Sequence, residues 1–112
     1  VDLPLVPSNM VPAYNPDHVG FSAGTMTLAL DGSQGTRVAS KGMDFLYGSF
    51  QVKAAIPCGS GVISSFYLRS SDEYADLNAG VAAAGGDFSE LDFEFISHNG
   101  KPCSTWLNTF VG

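Results

Sequence analysis

The sequence predicts an all-β, antiparallel sandwich, and three observations carry that reading. Apolar and polar residues alternate over several short stretches, which is the period of a half-buried strand. Thirteen Gly and six Pro punctuate those stretches with turns. No segment shows the 3.6-residue apolar stripe of a long helix. At 112 residues the chain has the size of one domain. A domain of that length buries roughly two-thirds of its unfolded surface.

The elements follow in order. Residues 1–20 carry Pro4, Pro7, Pro12 and Pro16 without periodicity. They read as an irregular lead-in lying over a surface, with room for a short edge strand. Residues 21–112 form the body. Thr25 to Leu30 alternates, with Met26, Leu28 and Leu30 on one face, and Asp31-Gly32 is a hairpin signal. A short strand follows at Arg37 to Ser40. Gly48 to Ile56 alternates again, Phe50, Val52, Ala54 and Ile56 facing one way and Gln51 and Lys53 the other. Gly61 to Arg69 is a strand with Ile63, Ser65 and Tyr67 on one face and Val62, Ser64 and Phe66 on the other. The Ala- and Gly-rich stretch from Asp72 to Phe88 is a long loop of the kind that often carries function. Glu90 to Ile96 alternates strictly, His98-Asn99-Gly100 turns the chain, and Thr105 to Val111 is the last strand.

Composition excludes several classes. Charged residues make up 14% and the formal charge is −6, so no basic patch is present to neutralise nucleic-acid phosphates. Apolar content of 45% argues against a disordered chain. No apolar run approaches the ~20 residues of a bilayer-spanning helix. Residue 1 is Val, which reads as a processed product or a fragment. Cys58 and Cys103 sit in matching contexts, Pro57-Cys58-Gly59 and Pro102-Cys103-Ser104, just before two strands. They form one disulfide or stay as two buried thiols. If bridged, they close a loop that stabilises the fold by about 4 kcal/mol and points to an exported protein. Neither belongs to a Cys-x-x-Cys pair, and two isolated His do not make a zinc site, so neither a metal nor a cofactor is expected.

The chemistry concentrates in five residues. Only three glutamates occur, and two of them stand in Glu90-Leu91-Asp92-Phe93-Glu94. On a strand, Glu90, Asp92 and Glu94 share one face while Leu91, Phe93 and Phe95 share the other and pack into the core. Like charges so close resist ionising together, the setting in which one carboxyl keeps a proton beside an ionised neighbour. The Cα atoms of Glu90 and Glu94 lie roughly 13 Å apart along a strand. Side chains leaning together bring the carboxyls to about 5–5.5 Å, the separation of a retaining glycosidase. Asp92, between them, would hydrogen-bond the nucleophile. The competing readings are a solvated strand face and a calcium site. The scarcity of charge elsewhere favours chemistry over a solvated face.

At these residues the sequence resembles glycoside hydrolase family 16. The closer likeness is to its xyloglucan endotransglucosylase/hydrolase and fungal cell-wall transglycosylase branches. Leu28-Ala29-Leu30-Asp31, Ser40-Lys41, Phe45-Leu46-Tyr47-Gly48-Ser49-Phe50, the run Gly59 to Leu68, Ser70-Ser71, Glu90 to Phe95 and Asn108 to Gly112 match in consistent order over roughly residues 20–112. The resemblance implies a concanavalin-like β-jelly-roll. It implies Glu90 as nucleophile, Glu94 as general acid and then base, and Asp92 as assisting carboxylate. It further implies retaining hydrolysis or transglycosylation of β-glucan-type cell-wall polysaccharides, and an extracellular, cell-wall location. The family domain needs about twice this length. The chain therefore reads as an N-terminal half, its sandwich completed by a missing C-terminal half or a second chain. The loop from Asp72 to Ser89 is longer than in plant members. Trp106 stands where relatives often carry a polar residue; it shares a face with Asn108, and both are expected to line the cleft, Trp106 stacking on a sugar ring. His98, in the turn after the acidic strand, is a further candidate for substrate contact. The alternative functions are a non-catalytic carbohydrate-binding or structural module on the same fold and calcium-dependent sugar binding through the same carboxylates.

Overall fold

The computed structural model describes residues 2–41, 45–69, 89–97 and 103–110. The chain forms two compact units, Val1–Leu46 and Tyr47–Gly112. All strand pairing within them is antiparallel. The only helical element among the described residues is a single 3-10 turn. No helix among them is long and apolar enough to cross a membrane.

The first unit holds two small sheets. Strand β1 (Met10–Tyr14) pairs with β4 (Arg37–Ser40), and β2 (Val19–Ser22) pairs with β3 (Thr25–Leu28). The Pro-rich lead-in is therefore more ordered than its composition predicts. Pro12 fits because the β1–β4 register shifts between Pro12 and Tyr14, and a bulge tolerates a residue without an N–H. Asn15 adopts a left-handed conformation (φ 46) ahead of the 3-10 turn Pro16–His18, and its side-chain amide donates to the Gly35 carbonyl at 2.8 Å. Thr36 Oγ1 donates to the Tyr14 carbonyl at 2.7 Å. Arg37, opposite Tyr14 in the ladder, lies 5.8 Å from its ring centroid, a cation–π contact. Met10 is the one buried apolar side chain among the described residues.

The β2–β3 hairpin turns on Ala23 and Gly24, with φ of 47 and 75. Two positive φ values at a two-residue loop match the twist of the flanking strands. Ala is an unusual occupant, which is why the hairpin is absent from the sequence reading. Asp31-Gly32 does form its turn: Asp31 and Gln34 exchange backbone hydrogen bonds at 3.0 and 2.9 Å, with Gly32 at φ 58.

The second unit contains one three-stranded sheet in the order β5 (Ile63–Arg69), β6 (Glu90–Ile96), β7 (Ser104–Phe110). Both ladders run without a break through seven residue pairs. Gly61, at φ 80, makes the turn that leads into β5, with the Val62 N–H donating to the Gly59 carbonyl. The disulfide is formed: Cys58 and Cys103 are bonded, with Cα atoms 5.4 Å apart. It ties the approach to β5 to the residue before β7, the two strands that flank β6.

Two expectations change. Gly48 to Ile56 alternates but forms no strand. A strand needs a neighbour whose N–H and C=O groups complete its ladder, and no described strand pairs with this segment. Nor do its two sides separate as the alternation implies: Gln51 lines the same hollow as Phe50 and Val52, and both of these are exposed. Phe50, Gln51 and Val52 line an apolar hollow of about 230 Å³ together with Phe66, Phe93 and Phe95. That hollow lies on the side of the sheet away from the acids. The core reading of that face holds in part: Phe93 and Phe95 are half-buried, whereas Leu91, near the strand end, is exposed. The long loop from Asp72 to Phe88 and the turn His98-Asn99-Gly100 lie outside the described residues.

Candidate active site

The acidic strand occupies the centre of its sheet, and this placement builds the site. β6 is flanked on both sides, and Asp92 is its one buried residue. Asp92 is 8% exposed, while Glu90 and Glu94 are half-buried. The three carboxylates share one face by strand parity. Phe93 and Phe95, on the other face, anchor the strand against the apolar hollow.

The register supplies the neighbours. On β5, Arg69 stands opposite Glu90, Tyr67 opposite Asp92 and Ser65 opposite Glu94. On β7, Asn108 stands opposite Asp92 and Trp106 opposite Glu94, with Phe110 in register with Glu90. Directly opposed residues lie on the same side of a sheet. The acidic face therefore runs across three strands, bordered by a hydroxyl and a phenol on one flank and an indole and an amide on the other. Arg69 places a positive charge across from Glu90, the arrangement that favours opposite-charge pairs.

Asn108 makes the contact that defines the geometry. Its Nδ2 donates to Glu94 Oε2 at 2.6 Å, a part-buried hydrogen bond. Asn108 thus engages a carboxylate rather than simply lining an open groove. Trp106 is 57% exposed in this chain. Its position opposite Glu94 places a flat apolar surface beside that carboxylate. His98 lies outside the described residues. Among the described residues, no group of three His, Cys, Asp or Glu side chains is arranged to hold a metal ion.

Ser65, Tyr67 and Arg69 were not among the sequence-derived site residues. Parity put Ser65 and Tyr67 on one face of β5, but only the β5–β6 register reveals that this face continues the acidic one.

Residues 7–112 match the profile of the glycosyl hydrolases family 16. The chain belongs to this family. The match begins inside the Pro-rich lead-in, so family likeness extends further towards the N-terminus than the quoted motifs do. A probable xyloglucan endotransglucosylase/hydrolase protein of Nicotiana tabacum is 32% identical over 117 residues, covering 100% of this chain and 35% of that protein. A xyloglucan endotransglucosylase/hydrolase of Brassica oleracea var. botrytis is 33% identical over 109 residues, covering 93% of this chain and 32% of that protein. Xyloglucan endotransglucosylase protein 2 of Diospyros kaki is 32% identical, covering 100% and 35%. The chain thus spans about a third of the length of these curated relatives. No solved structure matches significantly.

Proposed function

We propose that this family 16 chain carries the catalytic strand of a retaining glycoside hydrolase or transglycosylase acting on β-glucan-type polysaccharides. The observation that carries the proposal is three carboxylates on one face of a central strand, the last of them held by an asparagine amide and flanked by an exposed indole. The printed names of the relatives, xyloglucan endotransglucosylases and hydrolases, point to the same substrate class.

On this reading Glu90 is the nucleophile. One of its oxygens bonds to the anomeric carbon as the glycosidic C–O bond breaks, and Glu94 gives its proton to the departing sugar oxygen. In the second half-reaction an acceptor O–H returns a proton to Glu94. The acceptor oxygen bonds to the anomeric carbon, and the bond to Glu90 breaks. Water as acceptor gives hydrolysis; a sugar hydroxyl gives transfer. Asp92 is the assisting carboxylate that orients Glu90 and balances charge between the two steps. Trp106 offers a stacking surface for a sugar ring, His98 contributes to the substrate side, and Asn108, expected in the cleft lining, acts there through its hydrogen bond to Glu94. No cofactor enters the reaction. Residues 1–20 serve as a lead-in, and residues 21–112 contribute the N-terminal portion of the catalytic domain. Further polypeptide, in the same chain or a second one, completes the sandwich and the acceptor side of the cleft. The disulfide supports an extracellular, cell-wall location.

The test is turnover of β-glucan oligosaccharides, followed as hydrolysis and as transfer, for the intact protein and for Glu90→Gln. Activity in the first and a loss of about 10⁴-fold or more in the second is expected, because the nucleophile cannot be replaced by an amide. Binding of a wall glucan without turnover would instead make this a carbohydrate-binding module.

A further inference from the structure

The hydrogen bond between β7 and β6 carries a consequence for the proton. We infer that Asn108 is a positioning residue that confines the transferable proton of Glu94 to Oε1; this rests on the catalytic reading above.

Glu94 faces Trp106 directly, and Asn108 is the next same-face residue along β7. Diagonal neighbours on one face of a ladder are within reach of side chains of this length. The reach is made: Asn108 Nδ2 is 2.6 Å from Glu94 Oε2. An amide nitrogen has hydrogens to give and no lone pair to offer, so the oxygen it meets must present a lone pair. A proton on Oε2 would make that oxygen a poorer acceptor for the amide N–H than the carbonyl oxygen it otherwise is, so the bond favours the tautomer with Oε2 unprotonated. When Glu94 is a neutral acid, its proton therefore sits on Oε1. When it is ionised, Oε2 remains occupied by the amide, and Oε1 is the oxygen free to accept a proton. The same oxygen thus serves both half-reactions. In the first, the proton leaves Oε1 for the glycosidic oxygen as that C–O bond breaks. In the second, the O–H of water or of a sugar returns a proton to Oε1 as its oxygen bonds to the anomeric carbon.

The contact also fixes the carboxylate plane. Both partners are half-buried, so water competes less for Oε2 than at an open surface. Asn108 touches no reacting atom in this account; it acts through Glu94.

A leaving-group comparison on the intact protein separates this role from mere packing. The kcat/KM is measured on a β-glucan oligosaccharide, whose sugar leaving group needs a proton, and on the matching 2,4-dinitrophenyl β-glycoside, whose leaving group departs without one. For Asn108→Ala the first falls by about 10–100-fold, the worth of a hydrogen bond to a charged group. The second stays within about threefold of wild type, because the Glu94 proton is not used. Asn108→Asp, of nearly equal size, loses at least as much on the oligosaccharide, since a carboxylate cannot donate and repels Glu94. Equal losses on both substrates, or an Asn108→Asp variant as active as wild type, overturn the assignment. A wild-type protein that turns over neither substrate defeats the catalytic reading itself, and the role of Asn108 with it.

Discussion

Removing the disulfide gives a prediction whose size follows from the chain path. Cys58 and Cys103 are 45 residues apart, and the loop they close contains all of β5 and β6. Closing a loop of that length removes about 13 cal/mol/K of entropy from the unfolded chain in the chain-entropy treatment, or about 4 kcal/mol at 25 °C. Against a typical total of about 5–15 kcal/mol, that is a large share of stability. A Cys58→Ser, Cys103→Ser double variant leaves no odd thiol behind. Urea unfolding can be followed by the fluorescence of Trp106, the single tryptophan of these 112 residues, which sits on β7 just past the crosslink. The oxidised protein is expected to exceed the double variant by about 4 kcal/mol. Reductant should bring the wild type to the variant's level and leave the variant unchanged. A difference under about 1 kcal/mol would refute the reasoning, since it would mean that the crosslink does not constrain the unfolded state. Two alkylatable thiols in the native protein would refute it more simply.

Two other predictions concern single residues. Ala23 pays for a left-handed conformation at φ 47, so Ala23→Asn should raise stability by about 0.5–1 kcal/mol in the same unfolding assay, whereas a loss would contradict the turn geometry. Trp106→Ala should weaken glucan binding by about 0.5–1.5 kcal/mol, read as a higher Kd by calorimetry, with little change in melting temperature because the indole is 57% exposed; a large fall in melting temperature with unchanged Kd would make Trp106 structural.

The parts of the fold visible in sequence are those where one strand carries its own signal. Glu90–Ile96 and Arg37–Ser40 form with the expected bounds, and the strands expected at Gly61 to Arg69 and Thr105 to Val111 form within one or two residues of them. Of these, Glu90–Ile96 alternates strictly, and the other three are short β-forming runs set between turn residues. The failures are cases where a second element decides. Gly48 to Ile56 has the alternation of a strand but no described ladder partner, and Phe50, Gln51 and Val52 together line a hollow with Phe66, Phe93 and Phe95. β2 was hidden because Gly20 and Ser22 weaken its pattern and its turn uses Ala where Asn or Gly is the usual signal. β1 is the short edge strand for which the lead-in left room; its place was not legible because of Pro12, which a bulge accommodates.

The candidate site divides in the same way. Glu90, Asp92 and Glu94 were legible because three carboxylates at alternate positions are rare in a chain with 14% charged residues. Trp106 and Asn108 were legible as a shared face. The bond from Asn108 to Glu94, and the presence of Ser65, Tyr67 and Arg69 beside the acids, depend on cross-strand register. Register is set by pairing across intervals such as residues 70–89, and parity within one strand does not encode it.

The central claim is that Glu90 attacks the anomeric carbon. Its most direct test is trapping with a 2-deoxy-2-fluoro β-glucan oligosaccharide bearing a good leaving group, followed by intact-mass measurement and peptide mapping. The account predicts a single glycosyl adduct on the carboxylate of Glu90, absent in Glu90→Gln. An adduct on Asp92 or Glu94, or turnover of the natural substrate with inversion at the anomeric carbon, would contradict it.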